Sequence, residues 1–286
     1  MAARQEQDPR KGATVDIGRN FPGARYLIPE VIVDFKKYLS ISYRGKNCNR
    51  SMLKANKAMK NLHAGEEVYV IANGPSLNKL DLTRIYGRKI IVMNHFEQHP
   101  LKEQFHIVAH CIGEPYGCKT WEDPQMMLRG VQADSYWFNS DAWPYFKGRS
   151  VQKIHYYCSA VAPKFWLKTG DDLAGPALSY QSTAQMAIMV ALYMGFKVVN
   201  LLGFDHDWLV SKGISPHFYE EKDGIAQADL GIFTYREKIA LSFNLFNAYY
   251  RIGEIAERKG ARIVNMSPGS YLDVYEYGDF SQCCIG

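Results

Sequence analysis

What this 286-residue sequence lacks narrows it first. No run approaches the roughly 18 consecutive apolar residues needed to span a bilayer. The opening stretch MAARQEQDPRKGATVDIG has no apolar core, so it does not read as a secretory signal, and a cytoplasmic location is expected. The six cysteines form no CxxC pair and are too sparse for a disulfide framework, so reduced thiols are expected. The terminal CCIG is a poor prenylation box because it ends in glycine. Internal repeats, low-complexity tracts and a Walker Gly-Lys-Ser/Thr are all missing.

What is present is ordinary in bulk and uneven in charge. Hydrophobic residues make up 47% and charged residues 22%, as in a soluble globular protein with a large core. Residues 1–64 carry 13 Lys/Arg against 5 Asp/Glu, whereas the remainder carries 21 against 24. A basic leader suits peripheral contact with an anionic membrane face, and equally suits a solvated arm; nucleic acid is not the expected partner.

Residues 1–24 are polar, with Gly and Pro, and read as disordered. Residues 28–40 and 50–62 read as helices, the second burying Met52, Ala55, Met59 and Leu62 and turning Lys54, Lys57 and Lys60 outward. From residue 66 short apolar strands alternate with helices. Strands are predicted at 67–72, 89–94, 105–109, 153–157, 197–203 and 262–265, and helices at 182–194 and 235–259. The last helix shows a stripe of Ile239, Phe243, Phe246, Tyr250 and Ile255. This alternation predicts an α/β fold with a Rossmann-like, doubly wound, mainly parallel sheet. The expected organisation is a basic extension over 1–64 and a single α/β domain over 65–286, with a lid around 206–234.

Ligands of such sheets sit beyond the carboxyl ends of the strands. The first strand is followed by Asn73-Gly74-Pro75-Ser76, in which Gly74 permits close approach, Pro75 fixes the turn and Ser76 can cap a short helix. Asn-Gly is also a common plain turn. Asn94 ends the second strand, where it can donate and accept at once, and His110 follows the third. Ser182 and Thr183 put two hydroxyls at the positive end of a buried helix, one more than N-capping requires. Asp205-His206-Asp207 closes the strand LLGF; Asp-x-Asp there is how many sugar transferases hold a divalent metal. The flanking aspartates should hold His206 by hydrogen bonding or raise its pKa. His217, beside Phe218 and Tyr219, lies in a loop able to cover the strand ends, where a general base is needed.

Taken in order, VYVIANGPSLNKLDL, VMNHF, STAQMAIMVALYMGFKVVNLLGFD, the loop histidine and ARIVNMSPGSYL resemble bacterial sialyltransferases of glycosyltransferase family 42. They also resemble the related flagellin-modifying Maf proteins, whose His-Phe-Tyr loop His217-Phe218-Tyr219 is similar to. The resemblance spans roughly residues 65–275. It implies a nucleotide-sugar-binding domain with a lid, a CMP-nonulosonate donor, no metal and no other cofactor. The acceptor would be a hydroxyl of a glycan, glycolipid or protein, and a homo-oligomer is compatible with the pattern. By position, Asn73, Gly74 and Ser76 would line the nucleotide and its phosphate. Asn94 would meet the cytidine or ribose, Ser182 and Thr183 the donor sugar or phosphate, and His217 would be the base of an inverting transfer. Two positions depart from the pattern. Asp207 and Trp208 stand where the sialyltransferases carry phosphate-binding tyrosines, leaving Tyr219 as the substitute, and His110 stands near an expected Asn. The competing readings are a metal-dependent transferase using Asp205 and Asp207 on a nucleotide-diphosphate sugar, a pterin diphosphokinase sharing the Gly-Pro-Ser turn, and a non-catalytic binding module.

Overall fold

In a computed structural model, the described residues are 50–113, 128, 130–147, 153–160, 170–178, 180–210, 218 and 234–283. The predicted helix at 28–40, most of the expected lid, His217 and Tyr219 lie outside them.

The elements in chain order begin with helix α1 (Arg50–Lys54) running into a 3-10 turn, Ala55–Met59. Strand β1 (Glu67–Ile71) follows, then β2 (Lys89–Met93), β3 (His106–Ile112), β4 (Tyr136–Asn139), short helix α2 (Trp143–Phe146) and β5 (Ile154–Tyr157). A small parallel pair, β6 (Ser159–Ala160) and β7 (Ala177–Leu178), precedes α3 (Thr183–Met194) and β8 (Val198–Leu202). Helix α4 (Tyr235–Arg258), β9 (Arg262–Asn265) and β10 (Glu276–Tyr277) close the fold.

The main sheet has the order β10-β9-β8-β1-β2-β3-β4-β5, and every pairing in it is parallel. Both faces of its central strands are buried, as an all-parallel sheet requires. Side chains alternate between two cores. Val68, Val70, Ile91, Met93 and Leu201 point to the α3 side, while Tyr69, Ile71, Ile90, Val92 and Leu202 point to the other. This is the Rossmann-like, doubly wound arrangement expected from the sequence.

Helix α3 is buried at every residue from Thr183 to Met194 and stops at the left-handed Gly195. The 50–62 segment does not form the single helix expected. Asn56, fully buried, donates through Nδ2 to the carbonyls of Tyr156 (2.8 Å) and Leu173 (2.6 Å), and the chain tightens to 3-10 geometry around it. Leu62 is left exposed.

Helix α4 begins with a capping box between Thr234 and Glu237. Its buried face is Ser242, Leu245, Tyr249, Ile252, Ile255 and Ala256, which keeps only Ile255 of the stripe read from the sequence. Ile239, Phe243 and Tyr250 are exposed, and Phe246 is half-buried. Polar ties select the inner face: Gln185 Nε2 donates to the Leu245 carbonyl (2.8 Å), and Tyr275 Oη to the Tyr249 carbonyl (2.9 Å). Among the described residues no helix is long and apolar enough to cross a membrane.

Candidate functional site

Strands β1 to β5 are laid down in one direction and β8 returns to the other side of β1, so the strand order reverses between β1 and β8. In such sheets the crevice where ligands bind lies beyond the carboxyl ends of the strands at this reversal. Past the strands, Ala72 N bonds to the Leu202 carbonyl (2.8 Å) and Gly74 N to that of Gly203 (3.0 Å).

Gly74 is sterically obligatory. A Cβ there would overlap the Asp205 carboxylate and the Gly203 carbonyl oxygen. Asp205 is folded back against this turn, with Oδ2 accepting from Ser76 N at 3.3 Å. Burial raises its pKa, only partly opposed by Ser76 and Lys79. The amides of Gly74 and Ser76 are therefore committed within the chain, and Pro75 has none. The groups left to meet a ligand are side chains. Asn73 Oδ1 is buried without a partner, and Ser76 Oγ faces Asp205 without an aligned hydrogen bond. Phe218 lies over the same turn. Its N–H donates to the Asn73 carbonyl (2.7 Å), its carbonyl accepts from Asn78 Nδ2 (3.4 Å), and its ring meets His99 edge-on.

On the β2–β3 side, Asn94 holds a left-handed backbone with φ 45°, a conformation that costs energy outside glycine and often marks a functional site. Its Oδ1 accepts from Gly113 N at 3.4 Å. His110 lies inside β3 rather than after it, because the strand runs three residues beyond its expected end at 109. Fully buried, it donates from Nε2 to the Asn94 carbonyl at 2.7 Å, which leaves Nδ1 as an unpartnered acceptor. Burial lowers its pKa to about 4, making it a hydrogen-bond acceptor rather than a base for neutral pH. At the start of α3, Thr183 presses on Gly113, where a Cβ would strike Thr183 Oγ1. Ser182 is the N-cap by position, yet its hydroxyl makes no capping bond; Oγ is buried beside Tyr249 without an aligned partner.

The site thus brings together Asn73, Gly74, Pro75 and Ser76 with Asp205, and Asn94 with His110, Gly113 and Thr183. His206, adjacent to Asp205, turns the other way with φ 53°. Its Nε2 pairs with Tyr249 Oη at 2.9 Å. The expectation that its aspartate neighbours raise its pKa fails: burial among aromatic rings outweighs Asp207 and lowers it to about 4.

Structural comparison finds similar folds in two glycosyltransferases. One is the sialyltransferase CstII from Campylobacter jejuni in complex with a substrate analogue, CMP-3FNeuAc. It has a TM-score of 0.46 and 13% identity over 75% of this chain and 87% of that one. The other is the Maf glycosyltransferase from Magnetospirillum magneticum AMB-1, with a TM-score of 0.44 and 16% identity. That alignment covers 82% of this chain and 39% of the Maf chain. No protein-family profile matches the chain. Among curated proteins none matches by sequence.

Sequence reasoning missed Gly113 and Tyr249 as parts of this region, and it gave the residues of ARIVNMSPGSYL no place in the site. Ser267 Oγ accepts from Phe204 N (2.9 Å), and Ser270 Oγ donates to the Phe204 carbonyl (2.5 Å), so the segment after β9 shapes the end of β8. The run SPGS was a legible turn signal, but its partner lies more than 60 residues away in sequence.

Proposed function

We propose that the chain is a glycosyltransferase that moves a nonulosonate sugar from a CMP-sugar to a hydroxyl acceptor, with inversion and without a metal. One observation carries the reading. Asn73 Oδ1 after β1 and His110 Nδ1 within β3 are buried without a partner, and Ser76 Oγ and Ser182 Oγ are buried beside Asp205 and Tyr249 without an aligned one. A buried polar atom left unsatisfied costs about 1–3 kcal/mol, so this set suits a ligand rich in hydroxyls, and its mixture of acceptors and hydroxyls matches a sugar better than a polyphosphate. The family resemblance of the sequence supports the nature of the sugar.

In this reading the acceptor hydroxyl attacks the anomeric carbon as the bond to the CMP phosphate oxygen breaks. The hydroxyl proton passes to His217, and CMP leaves with the bonding electron pair. His217 is the sequence neighbour of Phe218, whose docking on the Asn73 turn supports a role at this crevice. A monophosphate leaving group needs only hydrogen bonds and the positive end of α3 to stabilise it.

The test is CMP release from CMP-sialic acid and related CMP-nonulosonates in EDTA, with UDP-sugars as controls. Release that persists in EDTA, and falls roughly 10²–10⁴-fold in His217→Ala with CMP affinity unchanged, is expected. Activity that EDTA abolishes and manganese restores would favour the diphosphate-sugar alternative built on Asp205 and Asp207.

A further inference from the structure

Beyond the carboxyl ends of β8 and β9 lies a second recess, not used by the site above. It measures about 280 Å³ and is lined by His206, Trp208, Ser242, Phe246, Tyr271 and Asp273, among others. Its walls are rings held in place. Trp208 Nε1 donates to Ser242 Oγ at 3.0 Å, and that hydroxyl donates to the Lys238 carbonyl at 2.8 Å, which fixes the indole by its edge. His206 meets Trp208 edge-to-face with centroids 4.8 Å apart. At the mouth, Asp273 is exposed, and among the described residues its carboxylate has no hydrogen bond or ion pair.

Recess and crevice share one loop. Asp205 sends its side chain to the Ser76 turn, the next residue sends its ring into the recess, and Tyr271 N donates to the Asp205 carbonyl at 2.9 Å. A ligand straddling this loop has its sugar and phosphate in the crevice and a flat group between the rings. The recess itself disfavours phosphate, because the Asp273 carboxylate lines it. An acceptor-only carboxylate calls for a hydrogen-bond donor on that flat group.

We propose that this recess holds the nucleobase of the donor and that Asp273 accepts from the 4-amino group of cytosine. The assignment rests on the CMP-sugar reading above. Cytosine presents an amine where uracil presents a carbonyl oxygen. The carboxylate therefore bonds to the first and opposes the second, so that cytidine is selected over uridine. Sequence-tolerant stacking on Trp208 and Tyr271 supplies affinity, as aromatic side chains do for single bases.

The test is titration of the full chain with CMP, UMP and 2′-deoxy-CMP by calorimetry. The wild-type chain is expected to prefer CMP to UMP by about 10-fold or more. Asp273→Asn, whose amide can both donate and accept, should weaken CMP, strengthen UMP and bring the two within about threefold. Trp208→Leu should weaken both by roughly 5–100-fold while leaving their ratio unchanged. Asp273 is exposed, so its replacement leaves the fold intact, and a thermal melt checks both variants. An unchanged CMP/UMP ratio in Asp273→Asn, with Asn73→Ala still weakening CMP, overturns the base assignment and leaves the donor reading standing. A change only in the ratio of CMP to 2′-deoxy-CMP overturns it in favour of a ribose contact. A wild-type chain that binds no cytidine nucleotide overturns the donor reading and this assignment together.

Discussion

Among the described residues burial lowers the pKa of His99, and it brings those of His110, His155 and His206 to about 4 from an ordinary 6.5. A group depressed in this way contributes stability above its unfolded value and loses it as pH falls from 6.5 towards 4. At pH 5 each of the last three costs on the order of 2 kcal/mol relative to pH 7. Asp205, raised by burial, works in the opposite direction by becoming easier to protonate in the folded chain. Three histidines outweigh one carboxyl. Thermal melts are expected to show a loss of roughly 10 °C between pH 7 and pH 5; an unchanged midpoint would show that these rings are charged or solvated in the fold. Gly74 sets a second expectation at this scale. Gly74→Ala forces Asp205 and the Gly203 backbone apart, so it should cost roughly 3 kcal/mol or more and abolish CMP binding. Asn73→Ala should keep the stability and lose only affinity, and denaturant titration alongside calorimetry separates the two.

Helix α4 shows how two apolar faces on one element can mislead. The stripe read from the sequence runs through Ile239, Phe243, Phe246, Tyr250 and Ile255, and of these only Ile255 lies on the buried face with Leu245, Tyr249 and Ile252. Both faces carry aliphatic and aromatic side chains, the second more of the aliphatic ones. The second is buried because Tyr249 also satisfies His206 and the Tyr275 hydroxyl, polar ties that a 3.6-residue period does not contain. Leu245→Ala is therefore expected to cost about 2–5 kcal/mol, and Phe243→Ser within about 0.5 kcal/mol of nothing, as read from denaturant midpoints. Equal costs would place both faces in contact with the core. Elements with a single unambiguous signal were legible: α3, apolar all round and closed by Gly195, and the strands VYVI and KIIVM. Strand β4, four residues of YWFN, was missed because its pattern is too short to separate from its surroundings. In the candidate site, Asn73, Ser76 and Ser182 could be singled out because each follows a strand or starts a helix, whereas the pattern places His110 after a strand that in fact contains it. The recess could not. Trp208, Ser242 and Asp273 come from three distant segments, and only the pairing of β8 with β9 and the docking of α4 bring them together.

At the scale of the molecule, a central strand waits long for its second neighbour. β1 pairs with β2 at once, but its other flank is filled by β8, residues 198–202, after all of β2 to β5 and α3 have been made. During synthesis the nascent chain must therefore carry an open edge of Val-Tyr-Val-Ile past the ribosome exit while residues 72–197 are translated. A parallel pairing this distant in sequence is slow to form, and an unpaired apolar edge is the kind of surface on which chains associate. The strand that shapes the crevice is thus also the one that depends most on being shielded until its neighbour arrives. Stalling translation ahead of residue 198 should leave a species that binds holdase chaperones, whereas release beyond residue 202 should not.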